Sequence, residues 1–161
     1  MRFIVSDSIA TEANIIYEQN RDIVRSLIPT ARIEHIGATA IPAALTKGDV
    51  DLLVVVDQSE FAEAEMVLAR RFRRNEGSGR SATFAAFIDS EGPRPVGFQL
   101  VASGSPDEGT FRAVQTRLAE PSTLARYNGL KERFRGKSPD EYLEAKTSFI
   151  AELLEPGAPQ H

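Results

Sequence analysis

The chain has no cysteine among its 161 residues. That excludes disulfides, a thiolate nucleophile and any cysteine-based zinc site. Aromatic residues are scarce at 7%, so few rings are on hand for the bases of a nucleic-acid strand to stack on. No apolar run approaches the ~20 residues that a bilayer-crossing helix needs. The opening residues MRFIVSDSIATE lack the basic stretch, apolar core and small-residue cleavage site of a secretory signal. These absences fit a cytoplasmic protein with no membrane partner. A net charge of −4 argues against a broad nucleic-acid surface. What is present is ordinary for a globular chain, 42% apolar and 26% charged, and long enough for one domain with at most a small appendage.

Periodicity divides the chain in two. MRFIVS reads as a short strand. Residues 9–28 carry Ile15, Ile16, Ile23, Val24, Leu27 and Ile28 at helical spacing, and Pro29 stops the pattern. Arg32–Ile36 alternates as a strand and runs into the Gly37-Ala38 turn, with a short helical turn expected over Pro42–Leu45. Val50–Val56 is apolar on both faces, the pattern of a covered central strand. Asp57 with Glu60 reads as a capping box for a helix to about Phe72. Residues 82–88 and 96–102 read as two further strands. After Pro106 no strand pattern remains, and helices are predicted over about 107–119, 122–135 and 139–154. Ser138-Pro139-Asp140-Glu141 is a strong start signal for the last. The expectation is an α/β (α+β) core over residues 1–104, a C-terminal helical segment over 105–155 packed on it, and a flexible tail at 156–161.

The mouth of the most apolar strand carries two acids, Asp49 and Asp51. Residues i and i+2 of a strand point to one face, so the two carboxylates project together. Carboxylates that close repel unless a cation sits between them. For an isolated D-x-D the plainer reading is an arginine partner or a solvated strand end. The sharper reading is Mg²⁺, a hard cation that takes oxygen ligands and shares them with substrate phosphates. Gly37-Ala38-Thr39 lies upstream, between a strand and the expected helical turn. There a small-residue turn lets backbone N–H groups approach a phosphate. Strand, small turn, then D-x-D opening a buried strand is the arrangement of the polymerase-beta-like nucleotidyltransferase superfamily. In that superfamily a Gly-Ser turn holds the triphosphate and aspartates hold metal.

The stretch I-E-H-I-G-A-T-A-I-P-A-A-L-T-K resembles the signature of the GrpB family, which typically reads V-E-H-V-G-S-T-A-V-P-G-L-x-x-K-P-x-I-D. Ile33 to Pro42 and Lys47 match it. Phe111-Arg112, Leu118, Pro121, Tyr127, Leu130-Lys131, Tyr142, Lys146 and Phe149-Ile150 match the family's tail, so the resemblance spans about residues 9–154. It implies a nucleotidyltransferase-like mixed sheet with packed helices, an NTP as substrate or ligand, and Mg²⁺. The departures also count. Ala38 stands where the family has Ser, which removes a hydroxyl from the turn. Gly48 follows Lys47 where the family has Pro. Asp49 is acidic where relatives often carry an apolar residue. In G-F-Q-L-V-A, Gly97, Phe98 and Gln99 replace a frequent H-L-H, so Gln99 is the only polar side chain offered where the superfamily often sets a third carboxylate. Asp89, at the end of the preceding strand, is a poor substitute.

The resemblance assigns Asp49 and Asp51 to metal and catalysis. To nucleotide or phosphate contact it assigns His35, Gly37, Ala38, Thr39, Lys47, Gln99, Arg112, Tyr127 and Lys131. Plainer roles stand beside these: a hydrogen-bonded structural histidine, a solvated Lys47 or one paired with Glu34, and ordinary helix packing for Arg112, Tyr127 and Lys131. Arg70, Arg71, Arg73, Arg74 and Arg80 cluster around a loop, where helix-end charge usually meets the dipole and solvent. Two functions follow. One is an enzyme moving a nucleoside monophosphate from Mg·NTP to a small-molecule acceptor. The other is a catalytically impaired module that binds a nucleotide or coenzyme phosphate in the same cleft.

Overall fold

The computed structural model describes residues 1–155, so the tail expected at 156–161 lies outside the described residues. Among the described residues, seven strands and two α-helices fill the first two-thirds and three α-helices follow alone: β1 (Ile4–Val5), α1 (Ala10–Leu27), β2 (Arg32–Ile36), β3 (Leu45–Thr46), β4 (Val50–Val56), α2 (Phe61–Arg71), β5 (Arg73–Arg74), β6 (Phe84–Asp89), β7 (Val96–Ala102), α3 (Pro106–Leu118), α4 (Pro121–Arg133) and α5 (Pro139–Leu153). Each of the last three helices has proline in its first turn, where the missing N–H costs nothing.

The main sheet has the order β2-β4-β7-β6-β5, and β1 and β3 form a separate two-stranded ribbon. β4 runs antiparallel to β2 and parallel to β7, with Asp51 opposite Ile36 on one side and Gly97 on the other. Its even-numbered residues, Val50, Leu52, Val54 and Val56, point to the face covered by α1 and α2 and are at most 1% exposed. There Val24 and Ile16 of α1, Phe61 and Leu68 of α2, and the stacked rings of Phe72 and Phe98 close the larger core. The odd-numbered face is covered differently. Leu53, Val55, Ile36 and Val101 pack with Phe84 and with Phe111 of α3. Helices α4 and α5 rest on the β2–β3 connection, through Tyr127, Leu130 and Leu153 against Ile41 and Ala44.

Some sequence expectations shift. The short helical turn lies over Ala38–Ala40, earlier than Pro42–Leu45, and Leu45 belongs to β3. The capping box at Asp57 is absent. Asp57 precedes a one-turn helix at Gln58–Glu60 and makes no side-chain cap, while the Glu60 carboxylate accepts from the Thr30 hydroxyl at 2.7 Å. The strand expected at 82–88 starts later, at Phe84, because the Ser81 hydroxyl accepts the Thr83 N–H and turns the chain. Ser138 does cap α5, through the N–H of Asp140.

The N-terminal ribbon is tied to the helical third. Gly136 N–H donates to Met1 O at 3.1 Å, Arg135 donates to Phe3 O at 2.8 Å, and the Phe3 ring meets Tyr142 edge-on at 5.3 Å.

Candidate functional site

A cavity of about 420 Å³ opens on the odd-numbered face of the sheet, beside the start of β4. Its floor is Asp51 with Gln99 of β7, and Asp49 stands at its rim. Asp51 fits because its neighbours lack side chains. A Cβ on Gly97 would lie 2.3 Å from Asp51 Oδ1, and one on Gly37 would lie 2.8 Å from Oδ2. Gly37 also has φ +83°, a conformation that side chains disfavour. In this chain the missing side chain at Gly97 is thus part of what leaves room for the Asp51 carboxylate as it is placed.

The charges around this floor are unbalanced. Burial pushes the Asp51 carboxyl up to about 6, Asp49 adds to the rise, and the Lys146 ammonium and the Gln99 hydrogen bond oppose it. Three lysines from three elements line the same cavity: Lys47 after β3, Lys131 of α4 and Lys146 of α5. Lys131 is only 3% exposed. Its Nζ donates to Leu45 O and lies 4.1 Å from the centre of the Tyr127 ring. Burial, with Lys146 and then Lys47 nearby, pulls its ammonium down to about 7. Burial also lowers Lys146, against the pull of Asp51. Among the described residues, no ion pair within 4 Å joins these lysines to Asp49 or Asp51. An anion with its own counter-cation would satisfy both charge sets at once.

The Gly37-Ala38-Thr39 turn forms one wall. Ala40 N–H donates to Gly37 O and Ile41 N–H to Ala38 O, both at 3.1 Å, which closes the turn. The side chain of Gln115, from α3, reaches the same glycine. Gly37 N–H donates to Gln115 Oε1 at 2.9 Å, and Gln115 Nε2 donates to Gly37 O at 3.3 Å. Behind the turn, the Thr39 hydroxyl donates to Asp49 O at 3.0 Å and lies 2.9 Å from His35 Nε2. His35 stacks on Tyr17 of α1, with ring centres 5.0 Å apart, and burial lowers its pKa.

The structure gathers Asp49, Asp51, Gly37, Ala38, Lys47, Gln99, Tyr127 and Lys131 around one cavity. It does not bring His35, Thr39 or Arg112 to that lining. His35 has the parity of Ile33, so its ring points to the α1 side of the sheet. Thr39 is buried as the link between His35 and the Asp49 carbonyl. Arg112 is held by Glu34 at 2.6 Å and Glu108 at 2.9 Å, so it, and not Lys47, is the ion-pair partner of Glu34. Asp89 ends β6 and accepts the N–H of Glu91, which fixes a turn away from the floor. Of the arginine cluster, Arg74 and Arg80 both pair with Glu65. Gln115 was not visible as a site residue, because nothing in a helical pattern marks which polar residue reaches a loop. Lys146 carried a signal, its match to the family's tail. Among the described residues no three acidic or histidine groups converge. The charged donors available to a cation are therefore Asp49 and Asp51, because the Gln99 amide turns its N–H to Asp51. That set fits one Mg²⁺ that keeps waters and shares phosphate oxygens, and it falls short of a two-metal site.

Comparison with known proteins converges on one family. The family model described as GrpB protein matches residues 10–156. A UPF0157 protein of Vibrio cholerae is 34% identical over 156 residues, covering 96% of this chain and 82% of the relative. A UPF0157 protein of Deinococcus radiodurans is 28% identical over 146 residues. The crystal structure of the conserved protein GrpB from Enterococcus faecalis superposes with TM-score 0.71 at 19% identity, over 88% of this chain and 89% of that one. The Cid1 poly(U) polymerase with Mg and 3'-dATP bound superposes with TM-score 0.53 at 14% identity. The match covers 80% of this chain and 41% of the polymerase, so what is shared is a nucleotidyltransferase-like fold over less than half of that molecule.

Proposed function

The chain belongs to the GrpB protein family, and from that premise we propose that its cavity binds a nucleoside triphosphate with Mg²⁺ and transfers the nucleoside monophosphate to a small-molecule acceptor. One observation carries the reading: a glycine turn, a D-x-D at the head of a buried strand and three lysines face one another across a single cavity. The phosphates would lie against Gly37 and Ala38 of the turn, with Lys47 and Lys146 taking their charge. Mg²⁺, held by Asp49 and Asp51, would neutralise the triphosphate and the charge that develops on the leaving pyrophosphate. The acceptor oxygen would bond to the α-phosphorus as the bond to pyrophosphate breaks. A carboxyl near pKa 6 is mostly ionised at pH 7, so Asp51 has a lone pair for a cation or for the acceptor's proton. Phe111 and Tyr142, which line the cavity, would supply apolar wall for the base, while the Tyr127 ring is already stacked on Phe149 and covered by Lys131.

The second reading is a module that holds the same nucleotide or a coenzyme phosphate without turnover. The Gln99 amide favours it. An amide cannot take a proton from an acceptor, and a general base typically supplies 10²–10⁴-fold, roughly 3–5 kcal/mol of barrier. Pyrophosphate release from labelled NTPs separates the two. Turnover that disappears in Asp49→Ala supports the enzyme. Mg²⁺-dependent nucleotide stabilisation without turnover supports the module. No nucleotide response in the wild type removes both.

A further inference from the structure

The Gly37 N–H points at the place where the proposed function wants a phosphate oxygen, yet it already has an acceptor. Gln115 Oε1 sits on it at 2.9 Å, and the same amide returns a longer bond of 3.3 Å to Gly37 O. A side chain in this position is either a strut that builds the turn or an occupant of the ligand's seat. Three observations favour the occupant. The turn is closed without Gln115, by the two backbone bonds from Ala40 and Ile41. Its far end is fixed independently, because Thr39 bonds to Asp49 O and meets His35. Gln115 itself lines the cavity, so its amide oxygen is an acceptor presented from the ligand's side. A neutral amide oxygen is also a modest acceptor. A phosphate oxygen makes a charge-assisted bond to the same N–H that is roughly twice as strong.

We propose that Gln115 is a displaceable stand-in for the anionic ligand: it satisfies the Gly37 N–H in the empty cavity and yields that donor when phosphate arrives. This deepens the proposed nucleotide site and rests on it. Removing the stand-in should therefore strengthen anion binding, whereas removing a strut should weaken it. The two roles predict opposite signs.

The test uses the full chain and two probes, inorganic tripolyphosphate and Mg·ATP, with affinity read by calorimetry. Three variants are compared with the wild type. Gln115→Ala deletes the amide. Gln115→Met keeps its length and packing without the acceptor, which guards against a folding defect. Gln115→Glu keeps an acceptor, adds a like charge and loses the donor to Gly37 O. Tripolyphosphate should bind Gln115→Ala and Gln115→Met about 3- to 10-fold more tightly, the worth of one hydrogen bond no longer broken on entry. It should bind Gln115→Glu more weakly than the wild type. The Gly37 amide resonance should shift on ligand binding in the wild type, and in the ligand-free Gln115→Met should already differ from the wild type. Weaker binding to both Gln115→Ala and Gln115→Met, with a folded protein and a responsive wild type, would overturn the stand-in and leave the nucleotide site standing. Tripolyphosphate and ATP ignored by all four proteins would overturn both.

Discussion

Asp51 illustrates how much one residue is made by its neighbours. Two positions without side chains, Gly37 and Gly97, give its oxygens their space, and burial raises its pKa to about 6. The folded protein thus holds that proton more tightly than the unfolded chain, whose carboxyl titrates near 3.9. Stability contributed by this group is greatest below pH 4 and declines as pH climbs from about 4 to about 6. Asp51→Asn should remove that decline. Its stability advantage over the wild type should grow across the same window and level off at about 3 kcal/mol or less by pH 7, in urea titrations at each pH. The same variant should lose Mg²⁺-dependent nucleotide stabilisation. A wild type and Asp51→Asn with parallel pH profiles would show that the carboxyl is not strained by its site. Gly97→Ala tests the space itself. A methyl there meets Oδ1 at 2.3 Å, so the carboxylate must move. Nucleotide affinity should fall at least about tenfold, by calorimetry, while alanine's strand propensity is no worse than glycine's.

At the scale of elements, the sheet separates what holds the fold from what faces the cavity. Glu65 of α2 is 8% exposed and accepts from both Arg74 of β5 and Arg80 of the following loop, so it pins the sheet's edge to the helix on the side away from the site. Glu65→Ala leaves Arg74 without its buried partner and should cost about 1–3 kcal/mol in urea denaturation, with nucleotide affinity unchanged. A loss of affinity as large as the loss of stability would mean the two faces are coupled. The elements also differ in how legible they were. β4 could be read from its unbroken apolar run, and the three C-terminal helices from the prolines that open them. The two-residue strands β1, β3 and β5 could not, because two residues carry no period. The side on which His35 falls was hidden for a related reason. Ile33 and Ile36 are both buried but belong to opposite faces, so apolarity alone does not give the parity of β2. The Gly37 turn and D-x-D were legible as a pair. The partners that reach them from α3 and α5 depend on helix packing across the cavity, which a local pattern does not contain.

For the molecule as a whole, the division expected near residue 104 follows a change of sequence pattern, and side-chain packing crosses it. The odd-numbered face of the sheet, with Leu53, Val55 and Val101 fully buried, is covered in part by Phe111 from beyond that boundary. Residues 1–104 alone should therefore expose this face. They should bind a hydrophobic dye, elute as aggregates in size-exclusion chromatography and show no nucleotide response. A monomeric, cooperatively unfolding fragment would contradict this. The stitching of Met1 and Phe3 to Gly136, Arg135 and Tyr142 bears on the order of events in time. Segments made first have partners made more than a hundred residues later, and contacts that distant in sequence are slow to form. On a ribosome the sheet and its α1–α2 cover can assemble early, but the wall that Phe3, Tyr127 and Tyr142 build must wait for α4 and α5 to emerge. The cavity lining is thus completed only once α4 and α5 are in place, and a nascent chain that lacks them is expected to lack the walls that Tyr127, Lys131, Tyr142 and Lys146 provide.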